Sequence, residues 1–239
     1  MTTVVLVRHG RSTSNSAGTL AGWLPGVFLD ETGEAQAQSL GVRLAAADLR
    51  VAEVVSSPLD RCLQTADLLS EALGDVARSV HEGLGECRYG SWTGRPLAEL
   101  AKDELWKVVQ HRPSEARFPS SAAYEGESLL EMQARALAAV LEVDDRIRAT
   151  HGDDAVWVAV SHGDVIKAVL AEAVGAALDD FQRLHVDPAS LSAVRYTRER
   201  PFVLRLNDTG GDLSGLRPPT PPVVGEGEAV VGGGTGVVG

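Results

Sequence analysis

The stretch "VVLVRHGRSTSN", Val4 to Asn15, decides how this chain is read. Val4 to Val7 are apolar without the alternation of a half-exposed strand, which is the pattern of a strand buried on both faces. Arg8, His9 and Gly10 follow directly. A strand in a core has no use for a guanidinium and an imidazole at its end, unless that end carries a site.

Working outward, Thr2 to Arg8 is predicted as the first strand of an alternating series. "DETGEAQAQSLGVRLAAAD" predicts a helix capped by Thr32, with Ala37, Leu40 and Leu44 on one face. "VAEVVSS" predicts a second strand. The helix after it is expected to take Ser57 as cap, Pro58 in the first turn and Gly74 at its end. A short strand near Arg78 to His81 and a glycine-rich loop from Glu86 to Arg95 follow. One helix is expected from Pro96 to just before Pro113. Ser128 and Glu131 form a capping box at the head of a long helix. "AVWVAVS" predicts a third strong strand, "GDVIKAVLAEAVGA" a helix, and "LSAVRYTR" with "FVLRLN" a closing pair of strands. Strands alternating with helices predict an α/β fold: a three-layer αβα sandwich around a largely parallel sheet.

The chain has 239 residues, 44% of them hydrophobic, enough for a substantial core. Residues 1–207 are expected to form one domain. Residues 208–239, rich in Gly, Pro and Val, are expected to be a disordered tail whose removal leaves stability and turnover unchanged. The net charge of -11 argues against a nucleic-acid partner, which needs clustered cations. No apolar run reaches the roughly 20 residues that span a bilayer, so no membrane partner is expected. The two cysteines, Cys62 and Cys87, lack metal-site spacing and read as thiols of a reduced compartment. A cytoplasmic protein of unassigned oligomeric state is the expectation.

In an open α/β sheet, ligands lie beyond the carboxyl ends of the strands. Arg8 and His9 stand at one such end, Ser161 and His162 at another, and Arg61 in the first turn after a third. Two arginines and two histidines are the donors a phosphate dianion needs. An imidazole beside arginines stays unprotonated and is a capable nucleophile. His9 would attack phosphorus while Arg8, Arg61 and His162 hold the equatorial oxygens. Glu86, in a partly apolar loop beside Trp92, would protonate the leaving oxygen, with Glu82 and Asp60 as the alternative acids. These cations do the work of a metal, and no cofactor is called for. Trp23 and Trp92 are expected to shape the pocket mouth.

"LVRHGRSTSN", "SSPLDRCLQTA", "GECRYGSWTG" and "VSHGDVI" resemble, in order, the motifs of the histidine phosphatase superfamily, the phosphoglycerate-mutase-like branch. "FLDETGEAQAQ" and "YEGESLLEM" are similar to its secondary motifs. The resemblance covers residues 3 to about 200. It implies a phosphohistidine at His9 and a phosphate pocket of Arg8, Arg61 and His162. It adds Asn15, the backbone of Gly22, and Gly163 to substrate binding, and makes Glu86 the acid. Arg11 and Thr93 depart from the family pattern at positions that bear on substrate identity.

Three functions compete. The leading one is a phosphatase of small phosphorylated metabolites; the second is a phosphoglycerate-type mutase using the same phosphohistidine. The third is a non-catalytic binder of phosphorylated ligands, disfavoured because every residue the mechanism needs is present. The segment after Glu86 is mixed in charge and lacks the mutase insert, which favours the phosphatase.

Overall fold

The computed structural model describes residues 1–211 and residue 232. Its elements are β1 (Thr2–Arg8), α1 (Thr13–Ser16), α2 (Glu31–Ala46), β2 (Val51–Ser56), α3 (Asp60–Ala72) and β3 (Arg78–Val80). They continue with α4 (Leu97–Leu100), α5 (Glu104–His111), α6 (Leu129–His151), β4 (Val156–Ser161), α7 (Gly163–Ala173), β5 (Leu191–Tyr196) and β6 (Pro201–Asp208). The six strands form one sheet in the order β3-β2-β4-β1-β5-β6. The first four run parallel, while β5 and β6 are antiparallel additions.

Each central strand feeds two cores, as an uninterrupted apolar run requires. Val5 and Val7 pack with Val54, Val158 and Val160 against Leu40 and Leu44 of α2 and Cys62, Ala66 and Leu69 of α3. Val4 and Leu6 face the other way, onto Met132, Ala136 and Val140 of α6 and Val165 and Val169 of α7. The result is the expected αβα sandwich.

Several local expectations are corrected. Asp30, not Thr32, caps α2, accepting from the Gly33 amide, because its carboxylate sits one residue before the first helical turn. The Thr32 hydroxyl instead accepts from Arg11. Helix α3 starts at Asp60 with no side-chain cap, since the Ser57 hydroxyl is bonded to His162. The single helix foreseen between Pro96 and Pro113 is two, because Asp103 caps a new start by accepting from the Leu105 amide. The Ser128–Glu131 capping box is present as read. Strand β6 runs one residue past Asn207, and Asp208 is tied to Arg43. The foreseen disorder after Asp208 otherwise falls outside the described residues, apart from residues 209–211 and Gly232.

Candidate active site

The parallel register sets Arg8 beside Ser161, so β1 and β4 end side by side. His9 leaves β1 with its amide donating to the Ser161 carbonyl (3.0 Å), and the Gly10 amide donates to the Thr65 hydroxyl (3.1 Å). Gly10 and Gly33 let this turn press against the head of α2: a Cβ on Gly33 would collide with the Arg11 carbonyl. Arg61, the second residue of α3, reaches across to the same point. Arg8, His9, Arg61, Glu86 and His162 are all at most 3% exposed.

The His9 ring is fixed by its Nδ1, 2.7 Å from the Gly10 carbonyl, so Nδ1 carries the proton. Nε2 is left with its lone pair and accepts from Arg61 Nε at 3.2 Å. Burial, then Arg61 and Arg8, hold the His9 pKa well below its ordinary value. The ring stands edge-on to that of His162, centroids 5.3 Å apart. His162 is anchored by Ser57 Oγ at 2.7 Å from Nε2, while its Nδ1 lies 3.2 Å from Arg61 Nη2 and 3.8 Å from Glu86 Oε2. Burial and the nearby Arg61 charge keep it unprotonated too.

Arg61 also donates to the Gly22 carbonyl (3.0 Å). Gly22 has φ +51, and a Cβ there would meet Thr93 Oγ1 at 2.9 Å, so the turn that aims this carbonyl requires glycine. Arg61 Nη1 is buried with no acceptor among the described residues. An orphaned guanidinium donor in a buried site is a place for an anion. Arg8 donates to the Val186 carbonyl (2.8 Å) and, at 3.4 Å, to the Gly232 carbonyl. Burial lowers its pKa to about 10 against the opposing pull of Glu86, Asp187 and Asp164.

Glu86 enters from the loop between β3 and α4. Its Oε1 accepts from the Cys87 amide (2.9 Å). Burial first, then the charge of Asp164, push its pKa up to about 7 against Arg61 and Arg8. The indole beside it is that of Trp23, whose Nε1 donates to the Glu86 carbonyl (2.6 Å). Trp92, expected there, is instead interior, stacked on Trp106 and edge-on to Phe118.

A cavity of about 20 Å³ lies between these groups, lined by His9, Ser12, Asn15, Gly22, Arg61 and Glu86 together with Thr19, Leu20, Ala21, Leu97 and Gly232. Of the residues foreseen, His9, Arg61, Glu86, Asn15 and Gly22 line it. Arg8, His162 and Gly163 do not. Asn15 also serves the local turn: its Oδ1 accepts from the Ser12 amide, completing a capping box on α1. A larger hollow of about 460 Å³ between α3 and β3 is lined by no histidine, and its charged residues are the ion-paired Asp67 and Arg78 together with Asp75. Among the described residues no group of three or more His, Cys, Asp or Glu side chains is placed to hold a metal ion.

Sequence reading missed Arg135, on α6. It donates to the carbonyls of Gly83, Gly85 and Glu86 (2.8–2.9 Å) and forks onto Glu127. It missed Ser57 as the anchor of His162, and Asp164, whose Oδ2 accepts from Tyr89 Oη (2.7 Å). The "YEGESLLEM" motif held the one available signal, Glu127.

Comparison with known proteins gives the family of this chain. The family model for the histidine phosphatase superfamily (branch 1) matches residues 4–209. A probable phosphoglycerate mutase GpmB of Erwinia tasmaniensis is 30% identical over 223 residues, covering 90% of this chain and 95% of that protein. Phosphoserine phosphatase 1 of Hydrogenobacter thermophilus is 30% identical over 211 residues, 87% of this chain and 93% of that one. Among solved structures, Bacillus stearothermophilus YhfR superposes with a TM-score of 0.75 at 26% identity, over 87% of this chain and 98% of that one. A mycobacterial glucosyl-3-phosphoglycerate phosphatase does so at 0.72 and 25%, over 86% and 98%. With its motifs in order, its sheet and its buried His–Arg–Arg–His cluster, this chain belongs to the histidine phosphatase superfamily, branch 1.

Proposed function

We propose that the chain is a metal-independent phosphatase that hydrolyses phosphomonoesters of small metabolites through a phosphohistidine at His9. Phosphohistidine chemistry without a metal is general to the family. The observation that carries the reading is the pairing of an unprotonated, Nδ1-anchored His9 with a buried carboxyl, Glu86, whose pKa is raised to about 7. Nucleophile and acid are each in the form that the first step consumes.

His9 Nε2 leaves its contact with Arg61 and attacks phosphorus, and the P–O bond to the leaving group breaks. Arg8, Arg61 and His162 hold the equatorial oxygens, with Asn15 and the backbone of Gly22 and Gly163 completing the pocket. Glu86 gives its proton to the leaving oxygen, then as carboxylate takes one from the water that cleaves the N–P bond. Two relatives are named for phosphatase and mutase activity respectively, and the cavity wall favours the first. Thr19, Leu20, Ala21 and Leu97 are neutral, and Arg61 is the one cation lining the cavity among the described residues. A mutase has to grip the rest of its substrate between two transfers. Mutase activity is the second reading, supported by the 30% identity to the probable phosphoglycerate mutase.

The test is single-turnover phosphorylation of His9 by glycerol 2-phosphate and by p-nitrophenyl phosphate. The quenched enzyme is expected to hold base-stable, acid-labile phosphate, absent in His9→Ala. Glu86→Gln is expected to slow the alkyl ester by about 10²–10⁴ and the aryl ester far less, because p-nitrophenolate leaves without a proton. Equal slowing of both esters removes Glu86 as the acid. Faster formation of 2-phosphoglycerate than of inorganic phosphate, from 3-phosphoglycerate with 2,3-bisphosphoglycerate, moves the assignment to mutase.

A further inference from the structure

The turn that carries His9 is tied to the head of α2, and one of the ties reaches the peptide that faces the His9 ring. Gln36, half-buried on α2, accepts the Arg11 amide at its Oε1 (3.0 Å). That amide and the Gly10 carbonyl belong to one peptide unit, and the Gly10 carbonyl is the group 2.7 Å from His9 Nδ1. Other atoms of Arg11 are held at the same helix head. Its carbonyl accepts from the Asp30 amide (3.0 Å), its Nε lies 2.8 Å from Asp30 Oδ2, and its Nη2 donates to the Thr32 hydroxyl (2.8 Å). The side chain that departs from the family pattern is thus spent on α2 and does not line the cavity. The preceding peptide is held separately, its carbonyl by the Ala189 amide (3.1 Å) and its amide by the Thr65 hydroxyl (3.1 Å).

We propose that Gln36 is a positioning residue for the nucleophile: by accepting the Arg11 amide it holds the Gly10 carbonyl against His9 Nδ1, which keeps the proton on that nitrogen and the lone pair on Nε2. The proposal rests on the reading of His9 as the nucleophile. A neutral imidazole has two tautomers, and the partners of its nitrogens decide between them. Only the tautomer protonated at Nδ1 offers Nε2, the nitrogen beside Arg61, to phosphorus. Glycine leaves the backbone its widest choice of conformation, so the direction of the Gly10 carbonyl has to be fixed by its neighbours. Glycine is also required there, since a Cβ on Gly10 would collide with the Gly33 carbonyl. The Gly10–Arg11 peptide, turned over, would aim its N–H at Nδ1. That arrangement selects the other tautomer, with Nε2 protonated and no lone pair for attack. Gln36 opposes the rotation by holding the opposite edge of the peptide, and a peptide whose N–H is bonded has the better acceptor carbonyl. The Gln36 side chain does this from outside the cavity lining.

The experiment reads the His9 ring by nitrogen–proton correlation NMR of the full chain with isotope-labelled histidine, the His9 signals being those lost in His9→Ala. The wild type is expected to show Nδ1 protonated and Nε2 bare. Gln36→Leu suits a helix and deletes the acceptor; it is expected to shift His9 towards the Nε2-protonated form. Gln36→Glu keeps an acceptor at that place and is expected to retain the wild-type form. Single-turnover phosphorylation of His9 at saturating ester should slow roughly tenfold or more in Gln36→Leu. The slowing should be the same with glycerol 2-phosphate and p-nitrophenyl phosphate, because both need the same lone pair, and the half-saturating concentration should stay where it is. A merely structural Gln36 would lower the unfolding midpoint and leave the tautomer of the folded chain unchanged. An unmoved tautomer in Gln36→Leu, or a moved one that is phosphorylated at the wild-type rate, overturns the proposal. Absence of base-stable phosphate on wild-type His9 overturns the reading of the nucleophile, an outcome distinct from either NMR result. If Gln36→Leu does not fold, Gln36→Met decides, and the same shift is required of it.

Discussion

The ionisation of three buried side chains links chemistry to stability at the residue scale. His9 and His162 are neutral in the folded chain and take a proton when unfolded below their ordinary pKa of 6.5, so each favours unfolding as the pH falls. Glu86 acts oppositely: between 4.5 and about 7 it holds a proton folded that it gives up unfolded. In that window the unfolded chain binds two protons the folded one lacks, and the folded chain binds one the unfolded one lacks. The balance predicts stability rising with pH between about 4.5 and 6.5, by ~1.4 kcal/mol per pH unit. Denaturant midpoints across that range check it. The slope should flatten in His9→Ala and roughly double in Glu86→Gln. His9 and His162 were legible because they follow directly on strand ends, where polar groups after an apolar run need an explanation. Ser57 was not, since a serine before a proline and an acidic turn also reads as a helix cap.

The elements show where sequence periodicity suffices and where it fails. Strands β1, β2 and β4 were legible because both of their faces are apolar, and α6 because its capping box is unambiguous. The break between α4 and α5 was hidden inside a charged run in which Asp103 could equally have been a surface residue. Arg135 was hidden for the same reason: on a long helix of mixed charge, an arginine reads as solvated. It in fact fastens the Glu86 loop to α6 through three carbonyls. Arg135→Met is therefore expected to release that loop and leave Glu127 without its cation. We expect a loss of about 2–4 kcal/mol in stability. Phosphorylation by an alkyl ester should slow at least tenfold, by more than with p-nitrophenyl phosphate. Stopped-flow phosphorylation and urea unfolding measure the two separately.

At the scale of the whole molecule, the sandwich was foreseen, but the reach of Gly232 was not. Glycine-rich sequence carries no periodicity from which a contact can be read, so Gly232 at the cavity wall had no signal. Its carbonyl accepts from Arg8, its amide donates to Asp164, and a Cβ on it would meet Leu20 Cδ1 at 3.0 Å. With Gly232 in the wall the cavity of about 20 Å³ has room for roughly one water, against the roughly 300–1,000 Å³ of an ordinary ligand pocket. A chain ending at Gly211 keeps Asp208 on Arg43 but lacks Gly232. It is expected to bind p-nitrophenyl phosphate with a severalfold lower KM at unchanged kcat; an unchanged KM would show that Gly232 does not compete. A KM that falls in this way would mean that the protein carries its own rival for Arg8, joined covalently and present once per site. Such a rival cannot be diluted away, and every phosphoanion would be measured against it. The affinity seen from outside is the intrinsic one scaled by the fraction of molecules whose pocket stands vacant.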